Sequence, residues 1–381
     1  MNRSHARVPD CAPQGSGRRV YESVEEMLSQ AVLSELVGQP VTDVVSLPFH
    51  SGDGKSGSHF LTVEVGGRQH FILKRISRQW DWVMRVTGDH RCRPVVAWQG
   101  GLFDRLPEVI VHGTVACAVD GEGWALLMRD FRDVMIPPGD AKLTDGENDI
   151  FLDSMAALHA SFWDKPEAAD IADGFCDLRY RYACFSPALM RPEAEGPDAV
   201  PQLVLEGWEL FPSLVDPAIA RLVGGLLQNV QPLADALSRY PHTVVHGDWK
   251  LGNLGIIRQA ADTDGPSQLP RAVLLDWALT GPAPPASDLA WYLALNSARL
   301  PVSKERCIAL YRDSLAHRLD KRFDAQWWPP QLELCLLGAF VQFGWEKALG
   351  AIHGETEAVR SRERAELAWW SEQARAGARW L

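Results

Sequence analysis

Two short apolar runs, each ending in acidic or amide side chains, constrain this chain more than any other feature. Thr243-Val244-Val245 leads into His246-Gly247-Asp248-Trp249-Lys250-Leu251-Gly252-Asn253, and the run Ala272 to Leu275 leads into Asp276-Trp277. Apolar runs this short read as buried strands. Asp248, Asn253 and Asp276 therefore fall on loop ends beside strands. Two carboxylates and an amide oxygen are hard donors of the kind Mg²⁺ prefers. With Asp248 near a nucleophile, and Asn253 and Asp276 left for the metal, the set suits phosphoryl transfer. The polar stretch between the two runs, Ala260 to Pro270, contains Gly and Pro and reads as a lengthened hairpin loop.

Composition sets the frame for that site. At 381 residues the chain is too long for one compact core and should divide in two. A hydrophobic content of 46% and a charged content of 23% are those of an ordinary globular protein. The net charge of -11 argues against a protein that grips nucleic acid. It is compatible with a cationic small substrate, but plain solubility is the simpler reading. The seven cysteines are scattered, odd in number and free of any C-x-x-C pair, which favours buried thiols over disulfides or zinc. The first twenty residues lack an apolar core segment, so no signal peptide is expected. The longest apolar stretch, Leu332 to Leu349, carries Glu333, Gln342 and Glu346 and reads as a buried helix, not a membrane span. The cytoplasm is the expected location, with no membrane or nucleic-acid partner. Oligomeric state is left open.

Taken in order, residues 1–19 are rich in Pro, Gly, Ser and Arg without periodicity and read as a disordered tail. Ser23 to Leu36 has helical spacing and ends at Gly38. Five strands follow, at Val41 to Phe49, Phe60 to Val65, Gln69 to Ile76, Val109 to Val119 and Trp124 to Met128. One helix, Arg78 to Gly100, is inserted after the third. Beyond Asp130 the character is helical, starting with the capping box Thr144-Asp145-Gly146-Glu147. Later helices are expected at Ala218 to Leu237, Ser287 to Ala298, Ser303 to Leu319, Gln331 to Leu349 and Glu355 to Trp380. The expected fold is α+β and two-lobed. A five-stranded antiparallel lobe with one helix spans 20–131, and a large, mainly helical lobe spans 132–381.

Two features of the first lobe bear on phosphate chemistry. Gly54-Lys55-Ser56 is not a P-loop, because Phe49 stands where the first Gly belongs and a strand follows instead of a helix. The segment from Gly52 to Ser58 fits better as a glycine-rich hairpin that lays backbone N–H groups and the Ser56 and Ser58 hydroxyls over phosphates. Lys74 lies inside the apolar strand Phe71-Ile72-Leu73-Lys74, where a buried ammonium needs a partner.

The spacing H-x-D-x-x-x-x-N, followed by an apolar strand and another Asp, is the catalytic-loop pattern of the kinase fold. His246 to Asn253, Leu274-Leu275-Asp276-Trp277 and Ser287-Asp288-Leu289-Ala290-Trp291-Tyr292-Leu293 together resemble the aminoglycoside phosphotransferase and choline kinase-like family of small-molecule kinases. The H-G-D form and the late D-L-A helix separate that family from protein kinases. The likeness spans most of residues 20–350 and is specific in 242–293.

The resemblance implies ATP or GTP as donor, Mg²⁺, and a small hydroxylated acceptor. It gives Asp248 the acceptor hydroxyl, Asn253 and Asp276 the metal, and Lys74 the phosphates. It also implies an interlobe hinge at Met128 and Arg129 that meets the nucleobase, and supporting roles for His246 and Asp288. Two departures stand out. The family pairs its strand lysine with a helix Glu, yet residues 75–107 contain only Asp81, Asp89 and Asp104, of which Asp89 is the expected partner. Trp277-Ala278 replaces the Phe-Gly of protein kinases, which removes a flexible glycine and points to a permanently formed site.

The sequence thus predicts a Mg²⁺-dependent kinase for an aminoglycoside-like or other small metabolite. Choline, another amino alcohol or a sugar is the alternative acceptor. A catalytically weak nucleotide-binding protein is the alternative of another class, motivated by the missing Glu. A metallophosphatase needs His ligands where Trp249, Lys250 and Leu254 stand. Most of the fifteen tryptophans are expected to fill the helical core, although an aromatic cage for a quaternary ammonium is conceivable chemistry.

Overall fold

The computed structural model describes residues 19–49, 56–67, 69–164, 174–258 and 269–381. Its strands are β1 (Val20–Tyr21), β2 (Val44–Phe49), β3 (His59–Val65), β4 (Gln69–Ile76), β5 (Ile110–His112), β6 (Thr114–Asp120), β7 (Gly123–Arg129), β8 (Thr243–Val245), β9 (Leu254–Ile257), β10 (Arg271–Leu274) and β11 (Gly281–Ala283). The architecture is α+β and kinase-like, with a sheet-containing N-terminal part and a helical C-terminal part.

The N-terminal sheet differs from the expected five antiparallel strands. It has six, in the order β1-β6-β7-β4-β3-β2, and β1 runs parallel to β6. Two residues of β1 are too few to leave a periodic signal. The stretch read as one strand from Val109 to Val119 breaks at Gly113, and β5 leaves for another sheet. A Cβ on Gly113 would meet Leu275 Cδ2 at 2.9 Å, so the break lets the second sheet's loop come close.

The helices also divide. Ser23 caps Val24–Met27 and Ser29 caps Gln30–Val37, each hydroxyl accepting a backbone N–H at the third helical residue. The expected helix from Arg78 to Gly100 is two short ones, Trp82–Val86 and Arg93–Gln99, with Gly88 at φ +65° between them. Of the tail expected over 1–19, only Arg19 is described. Residues 1–18 lie outside the described residues, while the Arg19 carbonyl accepts the Trp98 indole N–H at 2.9 Å.

Alternation along β4 decides where its lysine goes. Phe71 and Leu73 pack with Met27, Leu33, Val63 and Leu127 into a small core under the N-terminal helices. Lys74 pairs with Phe60 and Leu126 on the opposite face, the face whose Ile76 and Leu126 join the main core.

The helical part is built on Trp328–His353, against which Glu357–Gly377, Ala199–Leu210 and Ala286–Asn296 pack. Leu334, Leu337, Phe340 and Val341 of this helix are fully buried, each contributing roughly 1.5–3 kcal/mol of burial. Its two buried amides reach neighbouring elements, although Gln331 Nε2 has no partner among the described residues. Gln331 Oε1 accepts the Ala286 N–H at 3.2 Å, and Gln342 Nε2 donates to the Arg181 carbonyl at 2.8 Å. The capping box at Thr144 and Glu147 opens Asp145–Ser161 as expected.

Two small sheets lie between these parts. One has the order β5-β10-β9, the other pairs β11 with β8. They place the ends of β8 and β10 side by side.

Candidate active site

The loop after β8 is fixed from behind by one carboxylate. Asp288, fully buried near the start of helix Ala286–Asn296, accepts the His246 N–H at 2.8 Å, the Gly247 N–H at 2.7 Å and the Trp249 indole N–H at 2.8 Å. His159 Nε2 donates a fourth bond at 3.1 Å, leaving Nδ1 to accept from the Tyr311 hydroxyl at 2.6 Å. Burial alone would raise the Asp288 carboxyl. The hydrogen bond from His159 and the fields of His159, His246 and Arg181 hold it below its ordinary value instead. The expected supporting role of Asp288 has this geometry.

Gly247 is required by shape. Its φ is +88°, and a Cβ there would meet the Leu279 carbonyl oxygen at 2.4 Å and Arg181 Nη1 at 2.6 Å. The Arg181 guanidinium, itself buried, donates from Nη2 to the Leu279 carbonyl at 2.7 Å. It fills the space that a side chain at 247 would take.

His246 links the two loops. Its Nε2 donates to the Leu275 carbonyl at 3.0 Å, and its Nδ1 accepts the Asp248 N–H at 3.2 Å. Burial lowers the imidazole below its usual value against the pull of Asp288, Asp248 and Asp276, consistent with this neutral tautomer. Its ring packs edge-on against Trp277 at 4.6 Å between centroids. Trp277 in turn donates to the Leu274 carbonyl at 3.1 Å and meets Phe103, so the tryptophan after Asp276 is locked in place.

Asp248 is thereby held in a defined orientation. Oδ1 accepts the Trp291 indole N–H at 2.9 Å, and Oδ2 accepts the Asn253 amide at 2.8 Å. Lys250 Nζ lies 3.5 Å from Oδ2. The Asn253 amide nitrogen also donates to the Asp248 carbonyl at 3.1 Å, which leaves the amide oxygen for a cation.

Asn253 and Asp276 meet across an antiparallel pair, β9 with β10, where Leu254 opposes Leu274 and the Leu275 N–H donates to the Asn253 carbonyl at 3.0 Å. The strands expected on either side of the long loop are therefore present. Most of that loop, 259–268, lies outside the described residues. Asp276 has a φ of +62°, a left-handed conformation uncommon for a residue with a side chain and frequent at functional sites.

The partner of Lys74 is Asp276 itself. Lys74 Nζ lies 3.1 Å from Asp276 Oδ1, the lysine being almost fully buried. Burial would raise the Asp276 carboxyl, but Lys74 and Lys250 hold it below its ordinary value. A carboxylate oxygen that already holds a cation, beside the free amide oxygen of Asn253, fits the hard donors of a divalent metal. Asn253 and Asp276 are the residues that would bind it.

Asp89, the expected partner, is spent elsewhere. Its two oxygens accept the backbone N–H groups of Arg91 at 3.1 Å and Arg93 at 2.9 Å, and the Arg93 guanidinium lies 4.0 Å away. The expectation fails because Asp89 opens a tight turn after Gly88 and caps the helix beyond it. Asp81 is the acid that senses Lys74. Burial pushes its carboxyl up to about 6, against the lowering pull of Lys74.

Of the hairpin expected over phosphates, Gly52 and Gly54 lie outside the described residues. Ser56 Oγ is 3.3 Å from Ser58 Oγ, and Ser58 donates to Asp81 Oδ2 at 3.1 Å. Met128 and Arg129 close β7. The Arg129 N–H donates to the Gly113 carbonyl at 2.8 Å and is already used.

Three residues named in the sequence were given no role at the site. Trp291 was grouped with the core tryptophans, although its place three residues after Asp288 on a helix turns both toward one loop. Lys250 carried a signal, a cation two residues beyond Asp248. Asp81 carried only the signal of a helix cap.

A family model described as a phosphotransferase enzyme family matches residues 54–327. The chain belongs to this family. It is accordingly an enzyme, a phosphotransferase, and the resemblance drawn from His246 to Leu293 is supported. No curated protein matches the sequence. Among solved structures, a macrolide 2'-phosphotransferase type I is 17% identical, with 89% of this chain and 98% of that one covered at a TM-score of 0.41. A putative aminoglycoside phosphotransferase from Ralstonia eutropha is 16% identical, covering 87% and 93% at a TM-score of 0.49. A choline kinase from Streptococcus pneumoniae is 12% identical, covering 91% and 98% at a TM-score of 0.43. Among the described residues, no helix of this phosphotransferase is long and apolar enough to cross a membrane.

Proposed function

We propose that this phosphotransferase moves the γ-phosphoryl group of ATP or GTP to a hydroxyl of a small molecule. The observation that carries the reading is the Asp248 carboxylate, oriented by Trp291 and Asn253 on a loop adjoining the Asp276–Lys74 pair. Asp248 orients the acceptor hydroxyl and takes its proton at a carboxylate oxygen. Lys74 and the 52–58 hairpin meet the phosphates, and Lys250 adds positive charge beside the reacting groups. Asn253 and Asp276 would hold Mg²⁺, which when bound neutralises charge on the phosphate oxygens. Positioning and charge neutralisation supply most of the rate gain. We place the division between the two lobes near residue 131, where the six-stranded sheet has ended.

The acceptor is an aminoglycoside-like or other natural-product hydroxyl. An amino alcohol or a sugar is the alternative acceptor.

The test is incubation with Mg-ATP or Mg-GTP and a panel of amino sugars, amino alcohols and sugars, comparing wild type with Asp248→Ala. Turnover by the variant is expected to fall by roughly 10²–10⁴ while nucleotide binding persists. Equal turnover by the two proteins would remove Asp248 from the mechanism. Nucleotide binding without turnover on any acceptor, unchanged by Mg²⁺, would favour a binding-only protein.

A further inference from the structure

Directly after Asp276, every backbone carbonyl from Trp277 to Thr280 has a donor. The Trp277 carbonyl accepts the Thr280 N–H at 3.2 Å, and the Thr280 carbonyl accepts the Cys176 N–H at 2.9 Å. Between them, two guanidiniums take consecutive carbonyls. Arg93 Nη1 donates to Ala278 at 3.1 Å, and Arg181 Nη2 donates to Leu279 at 2.7 Å. Arg181 belongs to helix Leu178–Ala183 of the helical part, whereas Arg93 opens helix Arg93–Gln99 of the N-terminal part. Of the four donors, Arg93 alone comes from the N-terminal part.

Arg93 is an expensive residue to keep there. Its side chain is 1% exposed, the Asp89 carboxylate is 4.0 Å away, and Nε has no partner among the described residues. Replacing a buried charge pair by an apolar side chain of similar volume is often neutral or stabilising, so core filling does not call for an arginine. What the guanidinium adds is a fork. Nη2 donates to the Thr87 carbonyl at 2.5 Å, and Nη1 donates to Thr87 Oγ1 at 2.8 Å as well as to Ala278. Arg93 therefore ties the turn at Thr87, the start of its own helix and the segment after Asp276 together.

Both ends of this tie are strained. Cys92, next to Arg93, has a φ of +58°, and Asp276, two residues before Ala278, has a φ of +62°. Left-handed residues with side chains persist where their surroundings over-determine them. Phe103 adds a second contact from the same side, its ring meeting Trp277 edge-on at 5.4 Å. The conformation of Asp276 is held through the residues that follow it.

We propose that Arg93 is a positioning residue, which by holding the Ala278 carbonyl fixes the backbone of Asp276 and so the aim of its carboxylate. It touches no reacting group. The use made of Asp276 rests on the kinase reading, but one arm of the test does not.

That arm is hydrogen–deuterium exchange of nucleotide-free protein, read on the amides of residues 277–281 and on the buried helix residues 334–341. Arg93→Met keeps the apolar stem and removes the donors. Exchange in 277–281 should rise at least about tenfold, with 334–341 unchanged. Arg93→Lys, which keeps the charge but not the fork, should show a smaller rise in the same place, and it decides the matter if Arg93→Met does not fold. No rise in 277–281, or an equal rise in both segments, overturns the proposal whether or not the protein binds nucleotide.

The second arm is calorimetry with ATP or GTP, whichever wild type binds, with and without Mg²⁺. A misaimed Asp276 matters only when the metal is present. Arg93→Met should therefore weaken binding of the Mg²⁺ complex roughly 10–100-fold and leave the metal-free nucleotide within about threefold of wild type. Arg93→Lys should restore part of the loss. Equal losses with and without Mg²⁺, or no loss in either, also overturn the proposal, since a merely structural role would not separate the two. Failure of wild type to bind Mg-ATP or Mg-GTP strikes the kinase reading instead, and the exchange arm then decides Arg93 alone.

Discussion

The two halves of the candidate site are held in different ways. On the C-terminal side, Asp288 receives four hydrogen bonds with no exposed surface, and His246, Gly247 and Trp249 are each fixed by it. On the N-terminal side, Lys74 has one ion pair among the described residues, with Asp276 after β10. Rigid support belongs where a proton acceptor must be aimed to within fractions of an ångström. A lysine that must release one anion and take up another needs alternatives within reach. On the proposed reading, the loop after β8 is built in advance, and the phosphate side would be completed by what binds there.

The largest expected effect breaks the rigid half. Asp288→Ala leaves the His246 and Gly247 N–H groups and the Trp249 and His159 donors without an acceptor in a dry site. Stability should fall by roughly 3–5 kcal/mol, with turnover lost alongside. Urea unfolding measures this, and a loss under about 1 kcal/mol would mean that the loop is supported from elsewhere. Gly247→Ala comes next. Its Cβ collides with the Leu279 carbonyl and the Arg181 guanidinium at a left-handed φ, so a cost of roughly 2–4 kcal/mol is expected, with turnover falling more than nucleotide affinity.

The same contrast explains what the sequence made legible. His246, Asp248, Asn253, Asp276 and Asp288 were readable because a fixed loop between short strands imposes fixed spacing. The capping box at Thr144 and the long buried helix around Leu334 to Val341 were readable for the same local reason. The sheet's sixth strand was not, since two residues give no period, and Gly113 looked like strand interior until β10 was seen to claim β5. The partner of Lys74 was missed because it is a tertiary choice. The ion pair joins β4 to the loop after β10, and no local spacing marks Asp276 as its other end. Trp291 was hidden among fifteen tryptophans because hydrogen bonding by an indole leaves no mark on hydrophobic spacing.

Asp81 sharpens the adaptable half through pH. Its carboxyl is raised from 3.8 to about 6, by burial first and against the pull of Lys74. A raised acid contributes stability below its unfolded value and loses it as pH rises through the folded one. Wild type should therefore lose stability relative to Asp81→Asn between about pH 4 and 7, the difference reaching on the order of 2–3 kcal/mol and then levelling. Thermal unfolding of both proteins across that range measures it. A difference that does not change with pH would mean that Asp81 is ionised at no cost, and the strain on the phosphate side would have to lie elsewhere.

Trp291→Phe gives the smallest expected effect and tests the boundary between the halves. The indole N–H donates to Asp248 Oδ1 at 2.9 Å, while the ring packs on Phe343 and Phe185. Phenylalanine keeps most of that packing and removes only the donor. The Asp248 side chain is 13% exposed, so water can reach the freed oxygen and offset part of the loss. A fall in kcat of about tenfold, or 1.4 kcal/mol, is expected, with the KM for Mg-ATP unchanged. If instead the nucleotide KM rises with kcat intact, Trp291 acts on the phosphate side, and the orientation of Asp248 rests on Asn253 alone. Asn253 would then join both halves, its amide nitrogen on the proton acceptor and its oxygen toward the metal. In that case the division between a preformed loop and an adaptable phosphate side would run through a single residue.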